Sequence, residues 1–385
     1  MQSKALRLPA VAAVAFVIAA LVTVAPAAAG RDRSHHDGWQ RAVYVSPTGA
    51  PSASGDSCRH ARYDSIQDAI EAAPPGGTVD VCAGTYPGMV TVDRRVTLEG
   101  EHGAVIDAAG DVYGVGISAS YVTVTGLTVE DASPLNPPNQ LADGIVTIGL
   151  GPTGPVAADH VRIIRNVVTG NLGSGIDLNS TSYSVAIGNV ADGNGVGINV
   201  ADDLGLPASH NTVGLNVAND NFGGCGIALA DHTGAGVTDN RVYLNEADDN
   251  GLATATAPDA SAGSGVILAS PEPGGIVTGN TITLNRFSGN GHAGVVVHAH
   301  APGADFSGNE ITYNVIGTNN VRTDENDLQS TGIYLGSYSS QSIAVSGNVI
   351  HDDYYGIFTS GPVSVTGGRN HFVQVAQPFG SAPTF

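Results

Sequence analysis

The chain has 385 residues, a formal net charge of −20 and 13% charged residues, and Lys4 is its only lysine. This composition argues against a nucleic-acid-binding protein, because such proteins concentrate Lys and Arg on one face. It also makes a poor surface for an anionic polysaccharide, unless a bound cation bridges the two.

The first 29 residues have the order of a secretory signal peptide. Lys4 and Arg7 form a basic head, residues 9–25 are almost wholly apolar, and an Ala-x-Ala pattern ends at Ala29. We predict a signal peptide at 1–29, a polar lead segment at 30–42 and a secreted, extracellular protein. The apolar run is too short for a membrane anchor and no second run follows, so we expect no membrane insertion.

Three cysteines follow, at positions 58, 82 and 225. Secretion permits disulfides, and Cys58 and Cys82 are the natural pair because both lie in the N-terminal unit. A bridge closing this loop would contribute roughly 3–4 kcal/mol. Cys225 stands just before a strand position that we expect to be buried, so it is predicted to be a small core residue.

A short helix is predicted between the two paired cysteines. Asp64 or Ser65 starts it, and Pro74-Pro-Gly-Gly77 ends it. Ile66, Ala69, Ile70 and Ala73 share one face, which suits the helix to cover the first turn of a stacked structure.

The rest of the chain is an internal repeat. Each copy has two Asn residues five positions apart, followed by a Gly and a β-branched residue that open a short strand. The Asn pairs are 166/171, 189/194, 216/221, 245/250, 285/290 and 314/319, and Asn348 with Asp353 is a seventh copy. Four copies carry a third Asn five residues earlier, at positions 211, 240, 280 and 309.

This pattern predicts an all-β protein, a single-stranded right-handed parallel β-helix over residues 43–385 with a short N-terminal capping helix. One repeat cannot bury its apolar face alone, so repeats must stack strand on strand. Asparagines at one corner then form a column linked by side-chain hydrogen bonds, and Gly and Asn supply corners with positive φ. A β-sandwich or propeller would need hairpin turns or blade motifs at fixed spacing, and neither occurs.

Loop insertions indicate where function resides. Three of them, Asp131–Ala142, Leu252–Ala262 and Val321–Ser330, fall between the Asn corner and the Gly-Ile strand. They should project on one side of the stack. Further loops follow the same strand, so its outer face should form the exposed floor of a groove.

Strand alternation then selects the side chains on this floor and at its ends. The candidate catalytic residues are Asp177, Asp202, Asp203, His298 and Tyr334. The candidate substrate-binding residues are Asn179, Asn199, His232 and His300. Carboxylates with histidines can supply acid–base chemistry or hold a cation, and a tyrosine can stack on a sugar ring.

Structural alternatives stand beside these roles. Asp202-Asp203 precedes a Gly-Leu-Pro turn, and Asp commonly caps such turns. His298-Ala-His300 puts two imidazoles on one face, but a metal site needs a third ligand. The carboxylates of the segment Arg322–Asp327 could bind calcium, the one cofactor that we consider, although the segment lacks the Gly and spacing of a recognised loop.

The run Ser65–Ile70, the segment Gly77–Tyr86 and the segment Thr97–Asp107 resemble the opening of pectate-lyase-like β-helix proteins. The later Gly-Asn-x-Ile and Gly-Ile-x-Leu units resemble the repeats of NosD-like, right-handed parallel β-helix proteins. The resemblance implies the fold over residues 43–375. It implies no complete catalytic set, because polygalacturonase-type motifs are absent except Asp202-Asp203, and only an arginine could serve as a lyase base.

The leading functional hypothesis is recognition of an extracellular or cell-wall polysaccharide, with cleavage or epimerisation by a lyase, hydrolase or epimerase mechanism. One alternative is a non-catalytic surface or adhesion scaffold. The other is a NosD-like metal-handling accessory protein that binds a transition ion through His298 and His300.

Overall fold

Strands from successive repeats pair in parallel and stack into long sheets. The computed structural model describes residues 42–134, 142–151, 154–252, 263–319 and 329–383. The signal peptide predicted at 1–29 lies outside the described residues, as do the lead segment except residue 42, most of the three insertions and the Arg322–Asp327 segment. All described residues belong to one compact unit, Gln40–Phe385.

Three sheets make up the walls of the stack. Sheet 1 has twelve strands: β1 Val43–Val45, β2 Thr78–Val81, β5 Thr97–Gly100, β8 Thr123–Thr125, β13 Arg162–Ile164, β16 Val185–Ile187, β19 Thr212–Gly214, β22 Arg241–Tyr243, β24 Thr281–Thr283, β27 Glu310–Thr312, β30 Gln341–Ser346 and β33 Val363–Thr366. Sheet 2 has two blocks joined by single parallel bridges: β3 Gly84–Pro87, β6 Ala104–Asp107, β9 Thr128–Glu130 and β14 Val167–Thr169, then β25 Arg286–Ser288, β28 Val315–Gly317, β31 Val349–His351 and β34 His371–Val373. Sheet 3 has eleven strands, which include the Gly-Ile strands: β4 Val90–Val92, β7 Tyr113–Ile117, β10 Asp143–Thr147, β15 Ser174–Asn179, β17 Val196–Ala201, β20 Ile227–Ala230, β23 Val266–Ser270, β26 Val295–Ala299, β29 Thr331–Gly336, β32 Tyr355–Ser360 and β35 Gln377–Ala382.

Two short pairs lie outside these sheets. An antiparallel hairpin joins β11 Leu150–Gly151 to β12 Gly154–Pro155, and β18 Ala208–Ser209 pairs in parallel with β21 Val237–Thr238. The predicted parallel β-helix is therefore confirmed.

The core is a set of aliphatic columns inside the stack. Ile145, Ile176, Ile198 and Ile227 lie opposite one another in register on four successive strands of sheet 3 and are fully buried. Each buried side chain of this size contributes about 1.5–3 kcal/mol. Strand alternation therefore leaves the residues between them pointing away from this core.

The predicted asparagine columns are confirmed at three corners. In the column that contains Asn216 and Asn245, the Asn216 Nδ2 donates to Asn245 Oδ1 at 3.0 Å and to the Ala186 carbonyl at 2.9 Å. The backbone N–H of Asn216 donates to the same Asn245 Oδ1 at 3.0 Å. Each asparagine thus satisfies main-chain groups that the corner takes out of the sheet ladder.

The prediction that asparagines adopt positive φ at these corners is wrong. The residue in front of the asparagine takes that conformation: Leu215, Leu244, Leu284 and Tyr313 have φ between 54° and 59°. No described asparagine has a positive φ. The asparagine is held by its amide contacts with the neighbouring turns, so the preceding residue makes the reversal.

The N-terminal cap is present as predicted. A helix, α1, spans Ile66–Ala72, and its N-cap Ser65 accepts a hydrogen bond from Asp68 N at 3.3 Å. Its face Ile66, Ala69 and Ile70 is buried against the core. A disulfide joins Cys58 to Cys82 with a Cα–Cα distance of 5.6 Å, which confirms the predicted pair. Cys225 is partly buried and lies 3.0 Å from Ser264 Oγ.

Candidate functional site

The predicted floor residues do occupy shared rows on the outer face of sheet 3. One row, the Asp177 row, runs in register through Asp177, Asn199, Ala228, Ile267, Val296, Tyr334 and Phe358. The next, the Asn179 row, runs through Asn179, Ala201, Ala230, Ala269, His298 and Gly336. Register therefore places these side chains on one surface, as the alternation predicted.

The expectation that this floor is exposed is wrong for most of it. Asp177 and Asn179 are 3% exposed, Val296 is 1% and Tyr334 is 2%. Val296 and Tyr334 form a second, smaller apolar cluster with Ala293, separate from the main core. Burial of apolar side chains on an outer face also stabilises the fold. Alternation along a strand gives the direction of a side chain but not whether other residues cover it.

Asp177 lies in the middle of a buried polar group. Its Oδ1 accepts a hydrogen bond from Asn199 Nδ2 at 3.2 Å. Burial raises its pKa well above the usual range, and repulsion from Asp143 and Asp203 raises it further. On the same strand face, Asn179 Oδ1 is buried without a hydrogen-bond partner, an arrangement that is uncommon unless a site has a function.

Asp143 belongs to the same group and was missed by the sequence analysis. It opens β10, it is 4% exposed, and its Oδ1 accepts from Ser174 N at 2.7 Å while its Oδ2 has no partner. Burial, partly offset by the Ser174 bond, raises its pKa to about 6, and Asp203 adds repulsion. The signal was present in the sequence, since Asp143 is the one acidic residue directly before a Gly-Ile or Gly-Val opening.

Asp203 and His232 form the accessible part of the site. The loops after β17 and β20 bring them together, and His232 Nδ1 lies 2.5 Å from Asp203 Oδ1. Their side chains are 35% and 41% exposed. The hydrogen bond to Asp203 is the main cause that raises the pKa of His232, so the ring holds its proton at higher pH than a free histidine.

We call Asp143, Asp177 and Asp203 the carboxylate cluster, because the charge of Asp203 acts on both buried carboxyls and that of Asp143 acts on Asp177. Of the predicted site residues, the structure thus brings together Asp177, Asn199, Asp203 and His232. Buried carboxylates with raised pKa beside an accessible acid–base pair are the arrangement found where enzymes tune groups for proton transfer.

Asp202 lies next to this cluster but has a structural environment. Its Oδ1 accepts from the backbone N–H groups of His232 and Thr233, and its Oδ2 accepts from Thr233 Oγ1, Ala235 N and Gly236 N, at 2.6–3.2 Å. Asp231 likewise accepts from Gly234 N and Ile276 N. Both carboxylates therefore hold the loop that carries His232, as turn-capping aspartates do.

The remaining predicted residues form a second, aromatic group: His298, His300 and Tyr334. The rings of His298 and His300 stack at 4.2 Å, and Tyr334 lies 6.1 Å from His298. Four strand spacings of about 4.8 Å separate β15 from β26, so this group lies roughly 19 Å from Asn179 along the stack. The two groups cannot act on one atom.

The fit of a calcium ion can be tested on the carboxylates. Among described residues, one possible ligand group in this region is Asp202, Asp203 and His232, whose donor atoms lie within 4.8 Å of one another. Calcium takes six to eight oxygen ligands, whereas this group includes an imidazole and Asp202 oxygens already engaged by loop donors. These residues do not fit calcium, and a calcium requirement stays a prediction.

Known proteins share the fold. The family described as periplasmic copper-binding protein (NosD) matches residues 156–339. Pectate lyase Pel9A is 17% identical with a TM-score of 0.61, covering 86% of this chain and 80% of its own. The A-module of the mannuronan C-5 epimerase AlgE4 from Azotobacter vinelandii is 21% identical with a TM-score of 0.55, covering 83% and 95%. The Agl-KA catalytic domain is 15% identical with a TM-score of 0.61, covering 90% and 68%. No curated protein matches the chain.

The disulfide and the match to a periplasmic family are consistent with an extracellular or periplasmic location. Over the part of the chain that the structure describes, no helix has the length and apolar character to cross a membrane. The chain is thus a parallel β-helix repeat protein: residues 156–339 match the family described as periplasmic copper-binding protein (NosD), and the fold is similar to that of pectate lyase Pel9A.

Proposed function

We propose that this protein binds a polysaccharide outside the cytoplasm at the accessible pair Asp203 and His232 beside sheet 3, and cleaves or epimerises it at the carboxylate cluster. One observation carries the proposal: two buried carboxylates of sheet 3, Asp143 and Asp177, lie within electrostatic reach of Asp203, which is paired with an accessible histidine. The polysaccharide-acting names of two structural neighbours, a pectate lyase and a mannuronan epimerase, support the substrate class.

The roles follow from the environments of the groups. Asp203 and His232 are accessible, so they are the proposed pair that exchanges protons with the substrate. Asp143 and Asp177 are buried and have a raised pKa. We propose that one of these two carboxyls stays protonated and supplies a proton to the leaving oxygen. Asn199 positions Asp177 through their hydrogen bond.

Mass spectrometry of soluble products tests the proposal. Purified full-length chain is incubated, with and without calcium, with a panel of plant, algal and bacterial polysaccharides. Products lighter by one water than hydrolysis products establish elimination, and products that include the water establish hydrolysis. A deuterium label gained from heavy water without chain cleavage establishes epimerisation.

Two variants separate chemistry from folding. We expect Asp203→Asn to lower kcat/KM at least about 100-fold, the usual size for loss of an acid–base group, without lowering the unfolding temperature at pH 9, where the charged pair with His232 no longer adds stability. Glu310→Gln removes the same charge from the exposed face of sheet 1 and should leave activity unchanged. Full activity of Asp203→Asn on a substrate that the wild type converts would exclude this pair.

The same panel decides between an enzyme and a binding scaffold. Polysaccharide retained by the protein in affinity gel electrophoresis, with no product and no deuterium gain, would favour a non-catalytic scaffold. If the protein neither retains a polysaccharide nor releases a product, the polysaccharide proposal is rejected.

A second candidate function is handling of a transition metal ion. The match to a family described as copper-binding and the adjacent rings of His298 and His300 favour it. Copper titration followed by calorimetry would then give binding that the double variant His298→Ala/His300→Ala abolishes. Unchanged copper binding in that variant would reject this candidate.

A further inference from the structure

We propose that the glycan bound at the carboxylate cluster is uncharged, so that uronate polymers are poor ligands of this surface. This inference rests on the proposed function and narrows its substrate class. It also narrows the reaction to hydrolysis, because elimination and C5 epimerisation both begin with removal of a C5 proton that the uronate carboxylate makes acidic. It separates this protein from the neighbours named for pectate and mannuronan, whose fold it shares.

Every strand that contributes to the cluster supplies an acidic side chain. Asp143 opens β10, Asp177 lies on β15, and Asp203 follows β17. Among the described residues, the cationic group that contacts the cluster is the imidazole of His232, and it is already hydrogen-bonded to Asp203. Asp202 and Asp231 add two carboxylates that loop N–H groups engage.

A uronate carboxylate would add another negative charge beside this set. Burial is the main cause of the raised pKa values of Asp143 and Asp177, and the negative charge of Asp203 raises both further. Carboxylate recognition in proteins generally uses a planar Arg or another fixed cation, and the histidine here is committed to Asp203. At about 6 Å and an effective dielectric constant of about 20, one like-charge pair weakens binding roughly 100-fold.

The floor between the two polar groups is apolar. Ala228 and Ile267 continue the Asp177 row, and Ala230 and Ala269 continue the Asn179 row. Ile267 is the partly exposed one of these four, and an apolar side chain can pack against the C–H face of a sugar ring but cannot compensate a carboxylate that leaves water. Both the charged end and the apolar middle of this surface therefore suit a neutral chain.

The test compares one polymer in two charge states. The polysaccharide that binds most tightly in the panel, if neutral, is oxidised at C6 to the uronate of the same linkage, and a portion is reduced back as control. Affinity gel electrophoresis then gives the Kd of each form in EDTA at low and high salt. We expect the oxidised form to bind about 100-fold more weakly, and the re-reduced polymer to bind like the original.

Salt and substitution identify the cause. Salt above 0.5 M should shrink the difference, because it screens charge. Asp203→Asn should shrink it as well, whereas Glu310→Gln should not change it. A difference that survives both changes would show that size and not charge excludes the oxidised form, and would overturn the inference.

The remaining outcomes are also decisive. Tightest binding of a uronan in EDTA overturns the inference but leaves the proposed function intact. Binding of a uronan only when calcium is present also overturns it, because a cation then bridges the charges. If no polymer binds, the proposed function fails and this inference fails with it.

Discussion

At the scale of single residues, the environment and not the residue type separates function from structure. Asp202 and Asp203 are neighbours in sequence, yet Asp202 is fully buried and engaged by loop donors, whereas Asp203 is accessible and paired with His232. We therefore expect Asp202→Asn to lower the unfolding temperature, because it weakens the loop. We expect Asp203→Asn to act mainly on chemistry.

The first residue-scale prediction concerns the pH dependence of stability through Asp143. Its folded-state pKa of about 6 lies above the ordinary value of 3.8. The folded state therefore holds the proton more tightly than the unfolded state, and stability falls as pH rises from about 4 to about 6. Asp143→Asn keeps an acceptor for Ser174 N and removes the charge, so it should raise the unfolding temperature at pH 8.

Thermal unfolding followed by circular dichroism at pH 4 and pH 8 checks this expectation. The gain should be largest at pH 8 and absent at pH 4, where the wild-type carboxyl is already protonated. A gain of equal size at both pH values would contradict it.

The second residue-scale prediction has the opposite sign. His232 has a raised pKa through Asp203, so their bond stabilises the fold fully below the unfolded-state pKa of about 6.5. That contribution is lost as pH rises through the folded-state value. His232→Gln should therefore lower the unfolding temperature at pH 5.5 more than at pH 9. A loss of equal size at pH 5.5 and pH 9 would mean that the charged pair adds nothing.

At the scale of elements, the asparagine columns hold the corners together. Asn245 Nδ2 donates to Asn285 Oδ1 and to the Val213 carbonyl, and its Oδ1 accepts from Asn216. Asn245→Ala should lower the free energy of unfolding by roughly 3–5 kcal/mol, because it leaves several buried groups without partners.

Urea unfolding measures this loss, and Asn219→Ala is the matched control. Asn219 is only partly buried, and its side chain accepts a single bond from Asp248 N. We expect the control to lose about 1 kcal/mol. Equal losses in the two variants would show that the column has no special role.

The corner residues in front of these asparagines offer another prediction. Leu284 has a φ of 59° and is 40% exposed, and the equivalent positions Gly188 and Gly347 use glycine at nearly the same φ. A residue with a Cβ is strained by about 1–2 kcal/mol there, while glycine loses about 0.5–1 kcal/mol of chain entropy. Leu284→Gly should thus be neutral or stabilising by up to about 1 kcal/mol.

Leu284→Ala is the control for this corner, because it shortens the side chain but keeps the Cβ and the strain. Chemical denaturation should rank the glycine variant above the alanine variant. The reverse order would mean that φ at this corner is not what limits stability.

At the scale of the whole molecule, the stack should unfold in parts, since each repeat contacts only its neighbours. The Cys58–Cys82 bridge closes a separation of 24 residues in the N-terminal unit. The double variant Cys58→Ser/Cys82→Ser should lose about 3 kcal/mol of local stability. Hydrogen exchange should speed up in α1 and the first coils, and stay unchanged beyond about residue 200.

Cys225→Ser is the control for this experiment, because it removes a thiol without opening a bridge and a serine can keep the contact with Ser264. It should leave exchange near the N-terminus as in the wild type. Faster exchange along the entire chain of the disulfide variant would show that the stack behaves as one cooperative unit.

Sequence alone determined the architecture of this protein. The Asn residues five positions apart, followed in each copy by a Gly and a β-branched residue, implied stacked coils, because a single repeat cannot bury its apolar face. The buried face of α1 and the in-register rows from Asp177 to Tyr334 followed from periodicity and alternation, and the disulfide followed from two cysteines within the N-terminal unit.

Only the tertiary structure decided which outward-facing residues are accessible and which carboxylates meet. Burial of Tyr334 and Asp177 depends on the surroundings of the outer face, which alternation along one strand does not encode. The charge of Asp203 acts on Asp143 two coils away, and Asp203 contacts His232 on the next coil. Charges act through space, so the site became visible only when the coils were stacked.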